Sequence, residues 1–127
     1  MVRIAIIGGG IGGLTAAIAL RQVGLEPDVY EQASALLDVG AAIAVWPNAM
    51  RVLDHLGLST KVLEHSGVMD EIHWLDQRGR PINKVRISEH SEPTSQPAVA
   101  LHRADLQHIL FSALPPASVH LGSSLLD

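Results

Sequence analysis

The apolar run Ile4-Ala5-Ile6-Ile7 passes without a break into Gly8-Gly9-Gly10-Ile11-Gly12-Gly13. A short continuous apolar run reads as a parallel strand covered on both faces, here Val2 to Ile7. Gly8-x-Gly10-x-x-Gly13 has the spacing of a dinucleotide-binding turn. Gly8 permits the tight bend from strand to helix, Gly10 lets backbone approach a pyrophosphate, and Gly13 lets the helix pack on the strand. Leu14, Ala17, Ile18 and Arg21, with Ala16, Leu20 and Val23 on the neighbouring stripe, repeat at helical spacing. Gly24 is placed to end that helix, and Pro27 opens a second strand from Asp28 to Glu31. Strand, turn, helix and strand make one βαβ unit in about 30 residues. The helix start offers free N–H groups and the positive end of its dipole to phosphates.

Glu31 closes the second strand about 20 residues past the turn, where this fold sets a carboxylate on ribose hydroxyls. A carboxylate there disfavours a 2′-phosphate, which argues against NADP. A glycine-rich turn with a surface glutamate is the plain alternative. The strand before, the helix after and the acidic residue together favour the dinucleotide site.

Beyond Glu31 the pattern stays α/β. Gly40 to Trp46 reads as extended, and Pro47 stands at the first position of a helix closed by Gly57, with Val52, Leu53 and Leu56 on its apolar side. Ser59 is a candidate cap for a short helix ending near Gly67. Met69–Asp76 and Pro81–Ile87 read as two strands joined by Gln77-Arg78-Gly79-Arg80, a hairpin. Glu89 to Pro97 is polar, holds two prolines and reads as a loop. Val99–Leu101 reads as extended. Arg103–Leu114 reads as a helix with Leu106, Ile109, Leu110 and Ala113 on one side and Pro115-Pro116 as its stop, and Val119–Leu121 as a strand.

Composition narrows the partners. A formal charge of −4 with scattered basic residues points away from nucleic acid. The chain has no cysteine, hence no disulfide or thiolate metal site, which fits a cytoplasmic protein. The apolar start is too short for a membrane span and lacks the flanks of a signal peptide. Among seven histidines no pair has convincing ligand spacing, and no metal site is assigned. Aromatic residues are 3% of the chain, few for a complete substrate pocket. Trp46 and Trp74 read as core residues, with ring stacking as the alternative.

Arg103 stands at the start of a helix, where the dipole opposes a cation by about 0.3–1 kcal/mol. Two readings stay open. The arginine faces an anion such as a bound pyrophosphate, or its side chain turns into water. His102 beside it is a candidate helix cap. At the other end, Leu125-Leu126-Asp127 breaks off where a sheet is still being assembled, so residues 1–127 read as a single domain, incomplete, with self-association as one way to cover what it leaves open.

Four segments resemble one family. Ile4 to Leu14 resembles the opening of the FAD-dependent aromatic hydroxylases, the single-component flavoprotein monooxygenases. Val29-Tyr30-Glu31 resembles their ribose-binding strand, Val39 to Ala49 their flavin-side segment, and Leu101-His102-Arg103-Ala104-Asp105-Leu106-Gln107 their arginine-led helix. The bacterial FAD-dependent urate hydroxylases are nearest in motif, and salicylate hydroxylases and zeaxanthin epoxidases carry related forms.

The resemblance implies a Rossmann-like FAD-binding fold of the glutathione-reductase type with a β-hairpin insertion. Gly8, Gly10, Gly12 and Gly13 would face the FAD pyrophosphate. Glu31 would hold the adenosine ribose with Gln32 beside it, and Ala44 would approach the flavin through its backbone. Arg103 would reach the diphosphate or ribityl region, and Gln107 is a further candidate one turn on. The resemblance also implies NAD(P)H as electron donor and transfer of one oxygen atom from O2 to a small aromatic or heteroaromatic substrate. The family's later Asp-Gly and Gly-Asp motifs and its substrate sheet are not in this sequence, so no catalytic side chain is assigned. A non-catalytic dinucleotide-binding module or an inactive remnant is the alternative.

Overall fold

The computed structural model describes residues 3–36, 40–90 and 96–126. Val2, Val39, residues 91–95 of the expected polar loop and the terminal Asp127 lie outside them. The chain gathers into two compact units, one from residues 1–41 with 102–127, the other from residues 42–101.

In the first unit, strand β1 (Ile4–Ile7) leads through the glycine turn into helix α1 (Ile11–Gln22), and β2 (Pro27–Glu31) returns beside β1. Gly24, at φ 81°, ends α1 as its position implies. Leu14, Ala17 and Ile18 are buried on one face of α1, so the helical stripe docks on the sheet. The three-stranded sheet runs β1-β2-β8, all parallel. Strand β8 (Val119–Leu121) follows helix α4 (Arg103–Ser112) after a 3-10 turn at Pro116–Ser118. Leu106, Ile109 and Leu110 of α4 are buried, while Ala113 lies beyond its end and is exposed.

The register sets Ile6 beside Val29 and Ile7 beside Tyr30. Ile6 turns toward α1, where its Cγ2 lies near Gly13. Ala5 and Ile7 point to the opposite face and are exposed, Ile7 by 55%. This corrects the expectation of a first strand covered on both faces. β1 lies at the edge of the described sheet and is covered on one face only, and an unbroken apolar run cannot by itself distinguish that from full burial.

In the second unit, strands β3 (Ala42–Val45) and β4 (Gly67–Val68) flank β7 (Val99–His102), whose last residue crosses into the first unit. Helix α2 (Pro47–His55) starts at its proline as expected and buries Met50 and Leu53. Helix α3 (Ser59–Glu64) has Leu58, not Ser59, at its N-cap; the Ser59 hydroxyl donates to Asp54 Oδ1 at 2.6 Å instead. The hairpin forms as read, with β5 (Glu71–Leu75) antiparallel to β6 (Pro81–Arg86). Trp46 and Trp74 are 45% and 46% exposed, so neither is the core residue expected. Among the described residues no helix is long and apolar enough to cross a membrane.

Candidate functional site

The site is built at the carboxyl ends of β1 and β2. Gly8 follows β1 at φ +104°, a conformation that side-chain-bearing residues rarely adopt. Its N–H donates to the Tyr30 carbonyl at 2.8 Å, which extends the sheet ladder into the turn. A Cβ on Gly13 would overlap the Gly8 carbonyl, so α1 can approach the turn only with glycine there. The protein's own packing explains these two positions.

It does not explain Gly10 and Gly12. A Cβ at either would meet nothing within 4 Å. Gly10 caps α1 at φ −75°, ψ 179°, ordinary extended backbone, with no side-chain cap and no acidic residue in the helix's first turn. Open space therefore lies at a helix start whose N–H groups and dipole favour an anion. A diphosphate fits that donor set.

Glu31 lies across the turn. Its Oε2 accepts from the Gly9 N–H at 2.6 Å and its Oε1 from the Ala33 N–H at 2.9 Å. The Ala33 bond first, then the Gly9 bond, hold its pKa below the ordinary carboxylate value, against an opposing desolvation cost. The residue is thus an anion, with both oxygens engaged by backbone N–H groups and lone pairs left over for hydroxyl donors. A cavity of about 280 Å³ opens here, lined by Ile7, Gly8, Tyr30, Glu31, Gln32 and Ser123 among others. Gln32 is exposed on its rim. Ser123 was not legible as a site residue. It arrives because β8 docks beside β2 and its N–H donates to the Glu31 carbonyl at 2.8 Å, a pairing with no local signal in the sequence.

Helix α4 supplies two residues to this unit. Its cap is His102, as expected, whose Nδ1 accepts from the Ala104 N–H at 3.3 Å. Arg103 is exposed, and its backbone N–H donates to the Ala41 carbonyl at 3.3 Å. A Cβ on Gly40, which sits at φ +142°, would lie 3.4 Å from Arg103 Cβ. The guanidinium has no hydrogen-bond or ion-pair partner among the described residues, so both readings of Arg103 remain available to it. Gln107, one helical turn on, donates from Nε2 to the Gly9 carbonyl at 2.8 Å. Gly9 itself, buried and held on both sides, is the turn residue that motif reading passes over. Ala44 lies on β3 in the second unit, exposed. Among the described residues no group of three or more His, Cys, Asp or Glu could hold a metal ion.

Residues 1–119 match the family described as "FAD binding domain". The chain is 39% identical over 121 residues to a 3-amino-4-hydroxybenzoate 2-monooxygenase of Streptomyces platensis, covering 92% of the chain and 30% of that protein. It is 33% identical over 124 residues to an FAD-dependent urate hydroxylase of Mycolicibacterium vanbaalenii, covering 97% of the chain and 31% of the relative. The crystal structure of Klebsiella pneumoniae HpxO complexed with FAD and uric acid is 33% identical and superposes with a TM-score of 0.80, over 94% of this chain and 30% of that one. The chain thus spans about 30% of the length of the curated relatives it matches. A parallel βαβ sheet, a glycine turn open toward a diphosphate and a family match over nearly the whole length agree: the chain belongs to the FAD binding domain family, and FAD is the cofactor that family binds.

Proposed function

We propose that this chain is the N-terminal part of the FAD-binding domain of a flavin-dependent monooxygenase that hydroxylates a small aromatic or heteroaromatic compound with NAD(P)H and O2, in the cytoplasm. The observation that carries the reading is the open space at Gly10 and Gly12 beside an ionised Glu31. The relatives, a urate hydroxylase and an aminohydroxybenzoate monooxygenase by name, support the substrate class. Bound FAD supplies the redox chemistry with O2; the protein's part is to bind it, orient it and exclude water.

In this reading the N–H groups at Gly10 and Gly12 meet the diphosphate, with Gly8 and Gly13 shaping the turn that presents them. Glu31 accepts hydrogen bonds from the adenosine ribose hydroxyls, each charge-assisted and worth about 1.5–3 kcal/mol. Gln32 borders the adenosine. The Arg103 guanidinium neutralises diphosphate charge or contacts the ribityl chain. Ala44 meets the flavin side through its backbone, a role carried by the family resemblance.

The test is competitive. The chain is incubated with FAD, FMN and NAD+ in equal amounts, separated from free nucleotide and denatured, and the released nucleotide is identified by chromatography. FAD is expected in excess over both. Recovery of NAD+ alone would overturn the assignment and favour a dinucleotide-binding module of another kind.

A further inference from the structure

Gly9 N–H and Gly9 C=O belong to two successive peptide groups, and each is pinned by a different distant residue. Glu31 Oε2 holds the first at 2.6 Å, and Gln107 Nε2 holds the second at 2.8 Å. Only an amide nitrogen can donate to that carbonyl, so the Gln107 side-chain orientation is fixed by chemistry. In a planar trans peptide the C=O and the following N–H point in opposite directions. Fixing the Gly9 carbonyl toward α4 therefore aims the Gly10 N–H away from α4. That N–H has no partner among the described residues, and the space around Gly10 is open.

We infer that Gln107 is a positioning residue that acts through the Gly9–Gly10 peptide, aiming the Gly10 N–H at the cofactor diphosphate. The inference rests on the FAD reading above for the identity of the anion. One Nε2 N–H of Gln107 is spent on the Gly9 carbonyl, which leaves the side chain a single further donor and an acceptor oxygen. The clamp also explains how α4 is keyed to the turn 98 positions earlier, and why Arg103, at i−4 on the same helix face, belongs to the same unit as the glycines.

The test uses the full chain and two variants. Gln107→Leu removes the donor; Gln107→Lys restores one of similar reach. The Gly9 carbonyl ¹³C shift reports the bond from Gln107, amide exchange at Val29 of β2 reports overall stability, and a titration gives FAD affinity. Expected for Gln107→Leu is an upfield move of the Gly9 carbonyl, unchanged exchange at Val29, and about tenfold weaker FAD binding, the scale of one lost hydrogen bond. Gln107→Lys should recover most of both. Weaker FAD binding with the Gly9 carbonyl shift unchanged would mean direct contact with the cofactor and would overturn the proposal. So would a moved carbonyl with unchanged affinity, or no change in either. Faster exchange at Val29 in Gln107→Leu would reduce Gln107 to a packing residue and overturn it too. If the unsubstituted chain shows no saturable FAD binding, the cofactor reading is what falls, and the carbonyl shift still decides the clamp.

Discussion

The Gly9 N–H donates to Glu31 Oε2 across the phosphate turn, so the acidic residue and the turn form one hydrogen-bonded unit. Glu31 is at once a ligand candidate and a strut. Glu31→Ala removes the ribose acceptor and releases Gly9. FAD affinity in an equilibrium titration should fall by about tenfold or more, given about 1.5–3 kcal/mol per charge-assisted bond. An unchanged dissociation constant would mean that the ribose lies elsewhere.

The same carboxylate makes the first unit sensitive to acid. Its folded pKa lies below the ordinary value of 4.5, held down by the Ala33 and Gly9 N–H groups. A depressed carboxylate pKa contributes stability that is present above the unfolded value and is lost as pH falls through the folded one. Urea midpoints should therefore decline below about pH 4.5, and the decline should be shallower in Glu31→Gln. Parallel pH profiles for the two proteins would contradict the hydrogen-bonding seen at Glu31.

The glycines separate by what requires them. At Gly12, inside the first turn of α1, a Cβ enters open space and Ala is the better helix former by about 0.8–1 kcal/mol. Gly12→Ala should leave the fold intact or raise its thermal midpoint, yet weaken FAD binding. At Gly13 a Cβ meets the Gly8 backbone, and Gly13→Ala should lower stability outright by about 1–3 kcal/mol as an overpacking change. Differential scanning calorimetry beside FAD titration tests the contrast. Equal loss of stability in both variants would argue against an external occupant beside Gly12.

In the hairpin, Glu71 accepts from Lys84 Nζ at 2.8 Å and His73 Nε2 at 2.9 Å, with Arg86 Nε at 3.4 Å. Lys84 first, then His73, bring its pKa down to about 2. Its support of the β5–β6 pairing is present above 4.5 and fades as pH falls toward 2. A carboxyl ¹³C titration should place its midpoint near 2, and Lys84→Met should move that midpoint up. An ordinary midpoint would show that the ion cluster does not persist in solution.

The outer edge of β1 pairs with no described strand, and Ile7 and Ala5 face outward beside it. Open edges with apolar faces recruit other chains. Sedimentation should report a mass that rises with concentration and falls toward the monomer in Ile7→Lys. The chain alone should not oxidise NADH when urate or simple phenols are added; substrate-dependent oxidation would overturn the view that it supplies the cofactor-binding part only.

Local chemistry was legible in the sequence, and distant approach was not. The turn, α1, β2, the hairpin and α4 follow from periodicity, caps and breakers, which act over a few residues. His102 and Gly24 behave as their positions imply. Leu58 holds the cap position and Ser59 stands one residue inside the helix, its hydroxyl donating to Asp54 five residues earlier. The exposure of Trp46 and Trp74 depends on what surrounds them, which residue type does not state. Gly9 carries no side chain to signal its role; only the arrival of Gln107 from α4 and of Glu31 from β2 reveals it. Likewise β8 brings Ser123 to the cavity through a sheet pairing that no short window contains.

That pairing also dictates an order of assembly. Asp28 and His120, bonded at 3.0 Å, are 92 positions apart, and everything from Ala42 to Leu101 lies between them. The sheet cannot close until Val119–Leu121 has left the ribosome, so β1, α1 and β2 stay a partial layer until then. Contacts of such separation slow folding more than they cost stability, since each doubling of a closed loop costs only about 0.6 kcal/mol. The intervening segment is therefore free to lengthen over evolutionary time with little thermodynamic penalty to the nucleotide-binding frame. The frame itself carries the kinetic burden of closing over that separation.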